Sequence, residues 1–99
     1  MNLVADNESL RVTGLDRLGA SNCSEFKELV KRHMPAGCRL VELDCTTVRF
    51  IDSDGLGTLI GIHKQLAANA GTVRLHQPSP VVRQLLRLIH LDEVFEITP

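Results

Sequence analysis

The chain has 99 residues and a formal net charge of −1, which is enough length for one domain and too little for two. Charges of both signs are interleaved and only three residues are aromatic, so no basic stripe is available for phosphates and little is available to stack on bases. Nucleic-acid binding is therefore disfavoured, and we expect a single domain over residues 1–99.

Cysteine usage and the N-terminal sequence bear on the compartment. Cys23, Cys38 and Cys45 form no Cys-x-x-Cys pair and have no histidine at zinc-finger spacing, a pattern typical of reduced thiols in a cytosol. The start MNLVADNESL lacks the features of a signal or transit peptide, and no apolar run approaches the ~20 residues that a membrane-spanning helix needs. We expect a cytoplasmic protein without direct membrane insertion.

The first part of the chain predicts a hairpin and a helix. Leu3–Ala5 and Glu8–Thr13 are short segments, and Leu10 and Val12 alternate with polar or charged neighbours, which favours a strand pair around Asp6 and Asn7. From Ser21 onward apolar residues recur at helical spacing, with Ser21 and Asn22 as candidate N-caps and Pro35–Gly37 as the stop.

The middle of the chain predicts a strand, a helix and a further strand. Arg39–Cys45 alternates apolar and polar residues, and the apolar patch Val48–Ile51 leads to a loop. A helix is predicted from about Asp54 to Ala70, and Thr72–His76 has the alternation of another strand.

The last part predicts a third helix and a final strand. Ser79 followed by Pro80 is a strong helix start, because Ser79 accepts a bond from a free amide and Pro80 has no amide to leave unpaired. The helix should end at Leu91–Asp92, and Val94–Ile97 supplies the last strand. Strands that alternate with helices predict an α/β fold: a mixed sheet of four to five strands with an N-terminal antiparallel hairpin and three main helices.

The stretch FIDSDGLGTLIGIHKQL forms the junction between the Val48–Ile51 patch and the second helix. Loops at the carboxyl ends of parallel strands are where ligands and partners usually dock. Ser53 or Asp54 could cap the helix, and Gly55 and Gly57 allow another backbone or an oxyanion to approach closely. An ordinary capped helix start explains the same residues and stays open at this point.

Common ligand motifs do not fit this junction. With Asp52 and Asp54 as the third and fifth positions of a calcium loop, Phe50 and Gly61 would fill the first and twelfth positions, and neither has a carboxylate. The glycine spacing does not match a dinucleotide fingerprint, and no Gly-x-x-x-x-Gly-Lys loop is present.

Catalysis has little support in the sequence. The four histidines are dispersed, and none is adjacent to a candidate nucleophile. We therefore expect no catalytic residues, no metal and no cofactor. A regulatory role fits better, since a phosphoryl group on Ser53 would add roughly −1.5 to −2 charges beside the helix amides without unfolding the domain.

The octapeptide Phe-Ile-Asp-Ser-Asp-Gly-Leu-Gly at 50–57 resembles the D-S-[ST]-G-L-G signature of STAS domains, in particular the stand-alone bacterial anti-sigma factor antagonists. Thr13–Asp16 resembles the family's G-x-[LI]-D segment, Leu40–Asp44 its central strand, and the segment from Pro78 to Leu91 its last helix. The resemblance therefore covers most of the chain.

The resemblance implies a regulatory cycle. An anti-sigma factor with serine kinase activity binds the unphosphorylated antagonist, frees its sigma factor, and releases the antagonist after phosphorylating it; a serine phosphatase resets the cycle. By position the phosphorylated residue is Ser53. The implied partner-binding residues are Asp16, Asp52, Ser53, Asp54, Gly55, Leu56 and Gly57.

Asp54 departs from the signature, which has a hydroxyl there. Its carboxylate either imitates part of the phosphorylated state or serves only as a helix cap. The rival functions are an accessory STAS subunit of a membrane lipid or anion transporter, a scaffold in a stress-sensing complex, and a hydrolase, for which no site is visible.

Overall fold

We describe the fold from a computed structural model that covers residues 1–99. In chain order its elements are β1 (Asn2–Asp6), β2 (Ser9–Thr13), β3 (Arg17–Leu18), α1 (Cys23–His33), β4 (Leu40–Asp44), β5 (Phe50–Ile51), α2 (Ser53–Ala67), β6 (Thr72–His76), α3 (Pro80–Leu88), a 3-10 helix (Leu91–Glu93) and β7 (Glu96–Thr98).

The main sheet has five strands in the order β1-β2-β4-β6-β7. The hairpin strands β1 and β2 are antiparallel, and every later pairing in this sheet is parallel. Each parallel pair is joined by one helix, and all these crossovers advance across the sheet in the same direction. Right-handed crossovers of this kind place the three helices on one face of the sheet. The predicted mixed α/β sheet is confirmed.

One apolar core of 21 buried residues lies between the sheet and the helices. Alternate residues of the three central strands point into it, because successive side chains of a strand face opposite sides. These residues are Leu10, Val12, Val41, Leu43, Val73 and Leu75. Burial raises the pKa of the Cys45 thiol to about 12, so this cysteine is a neutral core residue at pH 7.

The other face of the sheet carries a charge ladder, formed by Arg11, Glu42, Arg74 and Glu96 at matching positions of four neighbouring strands. Nη1 of Arg11 lies 2.7 Å from Oε1 of Glu42, and Nη1 of Arg74 lies 3.3 Å from Oε2 of the same carboxylate. Nε of Arg74 lies 3.1 Å from Oε1 of Glu96. The hydrogen bonds that Arg74 donates to the carboxylates of Glu96 and Glu42 raise the pKa of Arg74. On this uncovered face of the sheet, oppositely charged side chains therefore pair between neighbouring strands.

Two helices end earlier than their sequences predict. Ala70, with φ of 57°, and the bond from Gly71 N–H to Leu66 O turn the chain back, so α2 stops at Ala67. α3 stops at Leu88 because His90 has φ of 61°, and the predicted stop at Leu91–Asp92 is a 3-10 helix instead. The last strand consequently begins at Glu96, two residues after the predicted start.

The sequence also missed a second, two-stranded sheet, in which β3 pairs in parallel with β5. The predicted chain order has no strand between the hairpin and α1, where β3 lies, and it takes the segment that contains β5 only as the approach to a loop. Each strand has two residues, which is too short for alternation to be visible. Leu18 and Ile51 are adjacent in this pair and both are buried.

Replacing Glu42 with Gln tests the charge ladder. The carboxylate of Glu42 is 15% exposed and lies between two guanidinium groups, so its loss should lower the free energy of unfolding by about 1 kcal/mol. Urea denaturation at low and high salt measures the effect, which should shrink at high salt. Glu28→Gln is the control, since Glu28 is exposed on α1; equal losses in both variants would contradict the prediction.

Candidate functional site

The DSDGLG segment lies at a strand-to-helix junction, as predicted. β5 ends at Ile51, α2 begins at Ser53, and Asp52 stands between them. Because β3 and β5 are parallel partners, the loop that follows β3 lies beside this junction. The amide of Asp52 donates to Leu18 O over 3.2 Å and joins the two segments. The junction is therefore built from two loops that are 32 residues apart in the chain.

The carboxylate of Asp52 fixes the geometry of both loops. Oδ1 accepts a hydrogen bond from the amide of Gly55 at 3.0 Å, and Oδ2 accepts one from the amide of Ala20 at 3.0 Å. The expectation that Ser53 or Asp54 caps the helix is wrong. Asp52 is the N-cap, because its extended backbone precedes the helix while Ser53 and Asp54 are already its first two residues.

Two glycines allow the loops to approach each other. A Cβ atom on Gly19 would collide with the carboxylate of Asp52, and one on Gly55 would collide with the carbonyl of Leu18. The close backbone approach expected at Gly55 is thus present, and the approaching group is this carbonyl. Gly57 differs, since open space surrounds the position of its missing side chain.

The carboxylate of Asp52 is held in its charged form. Hydrogen bonds from the amides of Gly55 and Ala20 lower the pKa of Asp52 below its ordinary value of 3.8. At neutral pH the junction therefore contains a fixed anion whose two oxygens are already engaged by the protein's own backbone.

The members of the DSDGLG segment differ in exposure. Ser53, Asp54 and Gly57 are exposed, whereas Gly55 and Leu56 are buried. The segment is therefore not exposed throughout, because Gly55 packs on the Leu18 carbonyl and Leu56 enters the core.

Asp16 lies apart from the other predicted partner-binding residues. It precedes β3, whereas Asp52 follows β5, so the two aspartates are at opposite ends of the short parallel pair. Asp16 is exposed and its Oδ2 lies 3.8 Å from Nε of Arg17. Arg17 in turn lies over the ring of Phe50, with its Cζ 5.7 Å from the centroid. Phe50 is 45% exposed, so its ring forms an apolar patch beside Arg17.

A groove between α1 and α2 was not anticipated from the sequence. Its volume is about 570 Å³, and it contains Ser53 and Asp54 together with Lys27 and Lys31 of α1. The helical spacing of these lysines, at i and i+4, was visible in the sequence, but nothing local indicates that they face the junction.

The structure brings together no cluster of three His, Cys, Asp or Glu side chains that could hold a metal ion. None of its helices combines the length and apolar character that crossing a membrane requires.

Residues 9–99 match the family profile of the STAS domain. The chain belongs to the STAS domain family. Within this STAS domain, Ser53 and Asp52 occupy the positions that the DSDGLG resemblance indicates, at the start of α2. The matched region begins with β2 and includes the whole junction.

Solved structures show the same fold. An anti-sigma factor antagonist assigned in Thermotoga maritima has a TM-score of 0.86 and 22% identity, and the match covers 99% of this chain and 85% of that one. Unphosphorylated SpoIIAA, an anti-sigma factor antagonist, has a TM-score of 0.70 at 19% identity, with coverage of 99% and 86%. Phosphorylated SpoIIAA of Bacillus has a TM-score of 0.68 at 20% identity, with coverage of 99% and 90%.

Asp52→Asn tests the bridging carboxylate through pH. Because the folded-state pKa of Asp52 is lowered, its charge stabilises the protein above the unfolded value of 3.8, and this stabilisation is lost as the pH falls through the lower folded-state pKa. The variant lacks this dependence, so its urea midpoint should be lower at neutral pH and should fall less steeply in acid.

Urea midpoints from about pH 6 to pH 2 measure this slope. Asp92→Asn, on the exposed 3-10 helix, is the matched control and should keep the parent slope. Parallel curves for Asp52→Asn and the parent would show that the carboxylate does not bridge the loops.

Proposed function

We propose that this STAS domain is an anti-sigma factor antagonist that acts in the cytoplasm as a binding module. It binds an anti-sigma factor with serine kinase activity while Ser53 is unmodified, and phosphorylation of Ser53 releases it. A serine phosphatase restores the binding form, and the cycle regulates sigma-factor-dependent transcription. The observation that carries the proposal is the exposed hydroxyl of Ser53 at the first position of α2.

The division of tasks between Asp52 and Ser53 supports this proposal. Asp52 satisfies the free amide of Gly55, so the Ser53 side chain is not needed to begin the helix. In the reaction, Ser53 Oγ attacks the γ-phosphorus of ATP held by the kinase, an O–P bond forms, and the bond to ADP breaks. The hydroxyl proton passes to a base that the kinase supplies.

The phosphorylated product suits this position. The first residues of a helix favour negative charge, because the unpaired amides there carry partial positive charge. SpoIIAA is known in an unphosphorylated and a phosphorylated form, and this chain is similar to both, with TM-scores of 0.70 and 0.68. That similarity supports a modification that changes the charge of the docking surface and leaves the fold in place.

A second candidate is an accessory STAS subunit of a membrane lipid or anion transporter. Asp54 favours it, since a permanent carboxylate beside Ser53 suits a module that no longer switches. Co-purification separates the two functions: a kinase-like anti-sigma factor supports the first, and membrane ATPase subunits support the second.

Ser53→Ala should abolish phosphorylation and make partner binding constitutive. Because Ser53 is not the cap, its loss should change the free energy of unfolding by less than about 0.5 kcal/mol. Phosphopeptide mapping after incubation with the anti-sigma factor and ATP measures the modification.

Ser79→Ala is the matched control for this experiment. Ser79 Oγ accepts the amide of Val82 at 3.2 Å, so this variant should lose about 1 kcal/mol of stability yet remain fully phosphorylated. Undiminished phosphorylation of Ser53→Ala would assign the modification to another hydroxyl and overturn the proposal.

Asp54→Ser tests whether this carboxylate opposes partner binding. Removing one exposed charge beside Ser53 should tighten binding to the anti-sigma factor by roughly 0.5 to 2 kcal/mol, with the largest effect at low salt. Phosphorylation should also be faster, because the product no longer forms next to a carboxylate. Calorimetry and a timed kinase assay measure both effects, with Asp92→Ser as the control of equal charge. Affinities and rates equal to those of the parent would show that Asp54 does not imitate the modified state.

A further inference from the structure

Two lysines of α1 face the groove that contains Ser53. Lys27 and Lys31 line it from one side, and Ser53, Asp54, Gly57 and Gly61 line it from the other. Both lysines are exposed. No carboxylate lies within 4 Å of either ammonium group, whereas six arginine–carboxylate pairs within 4 Å occur elsewhere in the chain.

The direction of the helices brings these lysines towards Ser53. α1 and α2 each connect two parallel strands, so they run the same way and their first turns lie side by side, with Cys23 and Ser53 in one groove. Side chains on a helix lean towards its N-terminus and cover the preceding turn. The side chain of Lys27, one turn after Cys23, therefore leans back towards the turn that lies beside Ser53. The side chain of Lys31 leans back in the same way towards the turn that contains Lys27.

The opposite wall leaves room for them. Gly57 and Gly61 are one turn apart on α2, and beyond the backbone of this helix and the adjacent residues a Cβ atom at either position would meet no atom within 4 Å. The groove between the helices thus has a volume of about 570 Å³, with two unpaired ammonium groups on one side. Ser53 lines this space, so a tetrahedral dianion attached to its hydroxyl would lie at the edge of the groove.

We propose that Lys27 and Lys31 form the receptor within this chain for the phosphoryl group on Ser53. This inference rests on the proposed function only in taking Ser53 as the modified residue. The two ammonium groups offset the added negative charge, and they compensate for the repulsion from Asp54 beside it. The carboxylate of Asp52 is already engaged by two amides. Phosphorylation therefore also pairs the two free ammonium groups of the groove with the phosphoryl group, so they no longer present unpaired positive charge to a partner.

The second ionisation of the phosphate provides a direct readout. Phosphoserine is placed at position 53 during translation, and ³¹P NMR follows the titration of its phosphate. A nearby positive charge favours the dianion, so the phosphate of the parent should titrate at a lower pH than in the Lys27→Gln/Lys31→Gln variant. We expect a difference of about half a unit or more, which disappears near 1 M salt.

The control variant is Arg32→Gln/Lys64→Gln. It also removes two positive charges, but from exposed positions outside the groove. Its phosphate should titrate close to the parent value. Equal pKa values in the two double variants would overturn the inference. The experiment needs no kinase, so this result is independent of whether an anti-sigma factor phosphorylates Ser53, which only the kinase assay decides.

Discussion

The carboxylate of Asp52 is the interaction on which the site depends. It accepts one amide from the start of α2 and one from the loop after β3, so a single side chain joins two segments that are distant in sequence. The absence of side chains at Gly19 and Gly55 lets these segments touch. Because Asp52 takes over the role of helix cap, the hydroxyl of Ser53 is left exposed and available. Asp52 thus holds the two segments together, and the adjacent Ser53 presents an exposed hydroxyl.

The fold separates its two faces by chemistry. One face of the sheet and three helices enclose an entirely apolar core, in which no buried residue is polar or charged. The other face is bare and is held by alternating charges at matched positions of four strands. The proposed docking surface at the start of α2 is therefore separate from the charge ladder on β2, β4, β6 and β7. Ser53 and Asp54 are exposed, so a change of charge at these residues places no charge in the core, which agrees with a modification that leaves the fold unchanged.

Most of the architecture could be predicted because its signals are local. Alternation identified β2, β4 and β6, and Ser79 with Pro80 fixed the first residue of α3. The cap of α2 could not be predicted in the same way. Asp52, Ser53 and Asp54 are three good capping residues in a row, and the choice among them depends on the amide of Ala20, 32 residues away. The orientation of Lys27 towards Ser53 likewise follows from the packing of two helices.

The distribution of the three cysteines has a practical consequence. Cys38 and Cys45 are buried in the core, while Cys23 is partly exposed at the start of α1, in the same groove as Ser53. A thiol-directed fluorophore would therefore attach selectively at Cys23 without any engineered cysteine. Placed there, the dye would sense the arrival of a phosphoryl group or a partner through its own emission. The native chain thus contains a labelling position from which the proposed phosphorylation could be followed in real time.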